Sequence, residues 1–390
     1  MDLSPDEALA RAAALAPVLR ERSAAANEAR RIPAETIRDF IDSGLFRLLQ
    51  PARYGGTLQD LETFARVVFE LGRGCGSAAW VFSVLSNHQW LIGLFPDEAQ
   101  HDVWGKDDTA LCAAGIQPGG RISREAGGWR VGGTWNFCSG CDNVQWLIVM
   151  GLVGMEGSPP HPHVKLFLVP RSEWEIRDNW HVFGLRGTGS KQVVVRDNFV
   201  PEHRVLDFLD SREARTPGRE VNPEPLYKLP AWSNFPLCLA SPAVGAAWGA
   251  YDRFTGYVRT RTNVARGSVA QLATVQMRVA EAAAMIDTAE QLLRRDAREA
   301  LAAAEAGRAT DMALRMRSRR DFGYAVLMSC QAIEKLLRAC GGAGVYSDFE
   351  IQRCYRDAYA AAGHIGNNWD SAATVFGRTT LGFEITDLVH

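Results

Sequence analysis

Long apolar runs are missing from this 390-residue sequence: Arg, Asp or Glu interrupts every stretch that could approach the length of a bilayer span. A charge excess is missing too. The formal net charge of −2 gives no general attraction to nucleic acid or to an anionic membrane surface. Met1-Asp2-Leu3-Ser4 runs straight into an Ala/Arg/Glu-rich amphipathic stretch with no apolar leader core, so the expectation is a soluble, cytoplasmic chain with neither membrane nor nucleic acid as partner. No G-x-G-x-x-G fingerprint follows a strand-like run, which argues against a built-in NAD(P)H site. Cysteine is present but not in metal-binding order. Cys138-Ser139-Gly140-Cys141 is formally a C-x-x-C, yet no second C-x-x-C or H-x-x-x-H completes a zinc set, so small buried cysteines and no metal are expected.

What is present is enough apolar material for a large core: 47% of residues are hydrophobic, typical of a globular chain of two or three packed regions. Residues 5–45 carry Ala and Leu among Arg and Glu at helical spacing, with Pro33 starting a fresh turn. Residues 58–94 return to helix, interrupted by Gly72, Gly74 and Gly76, with Ser77 placed to cap the next helix. Between about 109 and 210 the texture changes to β-branched and aromatic runs such as Val144–Met150 and Val164–Val169, separated by Gly, Pro and Asn. Residues 211–230 hold Pro and charge without periodicity and read as a surface linker or mobile loop. Long helical patterns then cover 268–306, 309–340 and 350–376, lengths that suit an antiparallel bundle. The expected organisation is a helical domain (1–108), a β domain (109–210), a linker (211–234) and a helical bundle (235–390).

Three motifs give this order a meaning. Cys354-Tyr355-Arg356-Asp357-Ala358 with Gly363 to Asp370, Trp135-Asn136-Phe137-Cys138-Ser139-Gly140, and Gly184-Leu185-Arg186-Gly187-Thr188-Gly189-Ser190 together resemble the acyl-CoA dehydrogenase superfamily. The resemblance implies a mainly α fold with a central β domain: N-terminal helices, a β-barrel-like middle and a C-terminal four-helix bundle. In the dehydrogenases of that superfamily a Tyr-Glu-Gly-Thr signature follows the Tyr-Arg-Asp-Ala run, and its glutamate is the base. Here that stretch reads His364-Ile365-Gly366-Asn367, with no carboxylate until Asp370. The chain is accordingly most similar to the oxygenase components of two-component aromatic monooxygenases. Those take reduced FMN or FAD from a separate flavin reductase and use oxygen, through a flavin C4a-hydroperoxide, to hydroxylate a small aromatic substrate, commonly as homotetramers.

The same resemblance assigns residues. Ser139 matches the serine near flavin N5, His364 the histidine on the oxygen-bearing face, and His88 the histidine that meets the substrate. Flavin contacts are implied for Trp80, Ala114, Gly115, Ile116, Phe137, Cys138 and Ile365, and at Gly342 and Ala343 in the glycine turn, where a missing side chain permits close approach. Arg259 or Arg261 corresponds to the phosphate-binding arginine, a role suited to a guanidinium. Trp232 and Phe235 are implied as substrate walls. Gly184–Ser190 lacks the lysine and helix of a P-loop and is assigned to the fold, with at most a flavin-edge role. Each motif alone has a plainer reading: a strand edge with a Ser-Gly turn, a solvated helix end, a satisfied core histidine. Segment 231–248 contains no arginine, which disfavours a carboxylated substrate. The rivals are a dehydrogenase whose base has moved to Glu350 or Asp370, an N-, S- or indole-oxygenase on the same scaffold, and a binding protein without flavin.

Overall fold

In the computed structural model, residues 3–58, 60–156, 161–263, 267–308 and 310–384 are described. The chain opens with α1 (Pro5–Ala29), whose start is fixed by a reciprocal cap: Glu7 N–H donates to Ser4 Oγ, and the Glu7 carboxylate accepts from Ser4 N–H. Arg30, in the left-handed region at φ 55°, ends it, and α2 (Ala34–Asp42) follows Pro33. Helices α3 (Leu61–Gly74) and α4 (Gly76–Ile92) are separated only by Cys75, whose extended backbone breaks the run. Ser77 therefore does not cap: it lies inside α4, and its hydroxyl reaches Asp357 Oδ2 at 3.4 Å. Every residue of α4 is buried, so this helix has no solvent face. A short α5 (Asp97–Trp104) leads to the β region.

Among the described residues, eight strands form two four-stranded sheets. One has the order β1 (Cys112–Gly115), β4 (Trp146–Glu156), β5 (His161–Pro170), β8 (Val205–Asp207), with β1 and β4 parallel and the other pairs antiparallel. The other, wholly antiparallel, has the order β2 (Arg121–Glu125), β3 (Gly128–Cys138), β7 (Lys191–Pro201), β6 (Trp174–Arg177). The β3–β7 register shifts between Trp135 and Cys138, and this irregularity shapes one edge of the candidate site.

After β8 come α6 (Phe208–Arg212), α7 (Ala231–Asn234) and the long α8 (Pro236–Thr260). A two-residue pairing, β9 (Thr262–Asn263) with β10 (Gly267–Ser268), precedes α9 (Ala273–Glu305), α10 (Met312–Ala339), α11 (Glu350–Ala362) and α12 (Trp369–Thr380). Helix α8 ties the halves together, packing on α3 and α4 as well as on α9, α10 and α11. Where it crosses α3, a Cβ on Gly72 would lie 2.7 Å from Gly245 Cα, so the two backbones touch and neither position has room for a side chain. Two expectations need correction. Segment 211–230 is irregular, as its composition implies, but it is no surface linker: Leu226 and Tyr227 are fully buried, with Tyr227 O–H donating to Leu49 O at 3.0 Å and Trp90 Nε1–H to Leu226 O at 3.2 Å. The 350–376 helix is two helices, broken at Gly363–Asn368.

Candidate active site

Helix α4 carries both histidine-facing sides of the site. Near its start Trp80 donates its indole N–H to Ser139 Oγ at 3.0 Å, and its ring lies 5.9 Å from that of His364. Two turns further on, His88 Nδ1 lies 2.8 Å from Cys112 O at the head of β1. About 12 Å of helix axis separates the two residues.

The flavin-edge motif departs from a plain strand end. At the irregularity ending β3, Phe137 adopts φ 63°, uncommon for a side chain of that size, and its ring is 64% exposed while Trp135 and Cys138 on either side are buried. The turned-out ring meets Trp180 edge-on at 6.1 Å. Ser139, just inside, is buried and has three polar neighbours: the Trp80 indole, Ser190 Oγ at 2.7 Å and, through Ser190, Thr188 Oγ1 at 2.6 Å. Thr188 and Ser190 belong to the glycine-rich run assigned only to the fold. The long separation in sequence from Ser139 hid their contact. Gly115 packs under this edge; a Cβ there would fall 2.6 Å from Trp135 Cβ. Ala114 is buried on the same strand, and Ile116 packs against the core just beyond it.

His364 sits in the break between α11 and α12. Its Nδ1 accepts the Gly366 N–H at 3.0 Å, which leaves the proton of the neutral ring on Nε2. Burial, with the Arg319 charge adding to it, pushes the imidazole down to about 4, so the ring is neutral at ordinary pH. Arg319, itself buried, fixes the loop by donating to Ile365 O at 2.7 Å and to Gly366 O, and Asn367 Nδ2 donates to Leu239 O at 2.8 Å. Ile365 projects outward, 70% exposed. Sequence reasoning did not single out Arg319, which lies on a different helix.

The residues expected to meet the substrate lie together. The His88 ring lies 6.0 Å from Phe235, Phe235 stacks on Trp232 at 5.5 Å, and Trp232 continues to half-buried Phe208 at 5.0 Å, making an aromatic row. Trp232 Nε1–H donates to Ser211 Oγ at 2.8 Å, so α6 braces this wall. A carbonyl can only accept, so His88 donates from Nδ1 and presents a bare Nε2. Burial pushes His88 down to about 4, although its bond to Cys112 O opposes this.

The residues expected to meet the flavin phosphate lie elsewhere. Arg259 and Arg261 are exposed at the far end of α8, where Arg261 packs over Tyr257. From Leu239, at the His364 loop, to Arg259 is about 30 Å of helix. Gly342 and Ala343 form an open 3-10 turn near Arg261, whose charge is felt at Cys340.

The rival carboxylates are poorly placed to act as bases. Burial pushes Glu350 up, but hydrogen bonds from Arg20 and the charge of Arg253 outweigh it, so its carboxyl lies below the ordinary range and is committed to that ion pair. Asp370 is exposed on the first turn of α12. The cysteines are all unpaired thiols, and burial pushes Cys141 up to about 12 and Cys138 well above its ordinary value, so the C-x-x-C is inert packing. Among the described residues no group of three or more His, Cys, Asp or Glu could hold a metal ion.

With this geometry in view, comparison with known proteins is informative. Residues 7–107 match the acyl-CoA dehydrogenase N-terminal domain and residues 237–369 the acyl-CoA dehydrogenase C-terminal domain. The chain is 39% identical over 384 residues to the oxygenase component of FADH(2)-dependent resorcinol hydroxylase from Rhizobium sp. (strain MTP-10005), covering 96% of this chain and 94% of that one. It superposes with a TM-score of 0.93 on 3-HSA hydroxylase from Rhodococcus sp. RHA1, at 36% identity and 98% and 99% coverage. On XiaF from Streptomyces sp., crystallised with FADH2 and glycerol, the TM-score is 0.90 at 29% identity, with 98% and 97% coverage. The chain thus belongs to the acyl-CoA dehydrogenase superfamily and, within it, to the oxygenase components of flavin-dependent monooxygenases.

Proposed function

We propose that the chain hydroxylates a small, uncharged phenolic ring, taking reduced FMN or FAD from a separate flavin reductase and oxygen from solution. The observation that carries this is α4: one buried helix holds Trp80 against Ser139 and, two turns later, His88 against the Phe235–Trp232 wall. The residues fit a flavin ring. Phe137 offers a flat exposed face, Ser139 a hydroxyl at an edge, and His364 a free Nε2–H. When bound, the reduced flavin supplies the electrons that activate oxygen.

This chain's residues do the rest. Neutral His88 accepts the phenol O–H at Nε2 and orients the ring, with Trp232 and Phe235 as its walls. Neutral His364 offers its Nε2–H as a donor where oxygen reacts. At the α6 end of the wall Glu213 is shared by Arg212 and Arg315, while the wall itself is aromatic and its histidine neutral, a lining that suits a phenol.

Because about 30 Å of α8 separates Arg259 and Arg261 from the His364 loop, these arginines and the Gly342–Ala343 turn serve the flavin of a second copy, in a homotetramer built through the bundle. The enzyme works in the cytoplasm beside its reductase; among the described residues no helix is long and apolar enough to cross a membrane. The test is anaerobic titration with reduced FMN and reduced FAD, followed by oxygen and a panel of neutral phenols, carboxylated phenols, indoles, amines and thioethers. Turnover of the neutral phenols first supports the reading. Preference for any other class replaces it.

A further inference from the structure

A chain of four hydrogen bonds runs through the site, and its ends fix its direction. At one end the Trp80 indole nitrogen can only donate, and it donates to Ser139 Oγ at 3.0 Å. At the other end Leu185 O can only accept, and Thr188 Oγ1 donates to it at 2.8 Å. Between them Ser139 and Ser190 lie 2.7 Å apart, and Ser190 and Thr188 lie 2.6 Å apart. Three hydroxyls bring three protons to the three contacts beyond the indole. Thr188 gives its proton to Leu185 O, so Ser190 must donate to Thr188, and Ser139 must donate to Ser190. Ser139 is then left with no proton to offer and one lone pair free.

The anchor is rigid. Leu185 sits at φ 51°, and its N–H donates to the buried Asp357 of α11 at 2.7 Å. Its carbonyl also accepts the Trp180 indole N–H at 3.1 Å.

We infer that Thr188 and Ser190 are positioning residues that hold Ser139 as a hydrogen-bond acceptor and thereby select reduced over oxidised flavin. The inference rests on the reading that Ser139 meets flavin N5. Reduced flavin carries a proton on N5 and donates to the free lone pair, whereas N5 of oxidised flavin is an acceptor and faces a second acceptor. An enzyme supplied by a separate reductase gains from this polarity, since spent oxidised flavin is released and the reduced form captured.

The test compares dissociation constants for oxidised and reduced flavin, the latter measured anaerobically, in the unaltered chain and three variants. Ser190→Ala removes the acceptor of the Ser139 proton. Thr188→Val lets Ser190 turn its own proton to Ser139. Either change frees the Ser139 O–H for oxidised flavin and should shrink the preference for reduced flavin about fivefold, the worth of one neutral hydrogen bond. Most of the change should come as tighter oxidised-flavin binding, with a shifted absorbance band of the bound flavin. Thr188→Ser keeps the hydroxyl and should keep the preference. Tight reduced-flavin binding with the same ratio in all the variants leaves the flavin reading standing and overturns the relay. Binding of neither flavin by the unaltered chain removes both.

Discussion

Replacing His88 by alanine separates substrate orientation from flavin binding. The imidazole is 4% exposed and donates to Cys112 O at 2.8 Å, so its loss strands a buried carbonyl at a cost of about 1–3 kcal/mol in stability. It also removes the proposed acceptor for the phenol O–H. A ring displaced by about 1 Å loses on the order of a hundredfold in transfer. The Trp80–Ser139 contact depends on other residues of α4, so reduced-flavin affinity should stay within about twofold, well under the worth of one hydrogen bond. The assay is a single turnover with stoichiometric reduced flavin, counting product against hydrogen peroxide. We expect product to fall at least about tenfold and peroxide to rise to match. The pH profile sharpens the test. Burial holds His88 near 4, so yield assigned to its neutral form should be flat from pH 8 to 5 and fall only below that. Normal yield in His88→Ala, or a limb at the ordinary histidine value of 6.5, would refute this role.

Other outcomes rest on the same structure. His364→Ala should lower coupling of oxygen use to product while sparing flavin affinity, and Arg259→Ala or Arg261→Ala should do the reverse; equal effects in titration and turnover would cancel these roles. Gly72→Ala should lower stability by about 1–3 kcal/mol in chemical denaturation, because its Cβ would meet Gly245 Cα at 2.7 Å and only helix separation relieves that contact. Asp296 is pushed up to about 7 by burial and by the adjacent Asp321 charge, so the folded chain binds the extra proton between pH 3.8 and 7 and stability falls as pH rises through that window. Asp296→Asn should therefore be less destabilising, or more stabilising, at pH 8 than at pH 3.5, read as melting temperature; an equal shift at both would contradict the assignment.

Much of the fold was legible because periodicity is local. The helical runs of α3, α9 and α10 and the β texture between 109 and 210 announce themselves without tertiary information. What was not legible depends on contacts far apart in sequence. Tyr227 looks like a loop residue until Leu49 O and the segment beside Trp90 bury it. The break at Gly363–Asn368 is enforced by Arg319 from α10 and by Leu239 O from α8, neither visible in the motif itself. In the candidate site, Ser139, His88 and His364 were assigned through motif likeness, and the structure puts Trp80 between two of them. Phe137's turned-out ring arises from the β3–β7 register shift, and the Thr188–Ser190 relay from a loop whose glycines gave no hint of its hydroxyls' partners.

If this chain alone transfers oxygen from reduced flavin to a phenol, a single turnover under 18O2 with chemically reduced flavin, a neutral phenol and no reductase will place one labelled oxygen atom in each hydroxylated product, the other leaving as water. Unlabelled product, or no product together with tightly held oxidised flavin that an acyl-CoA bleaches, would contradict it.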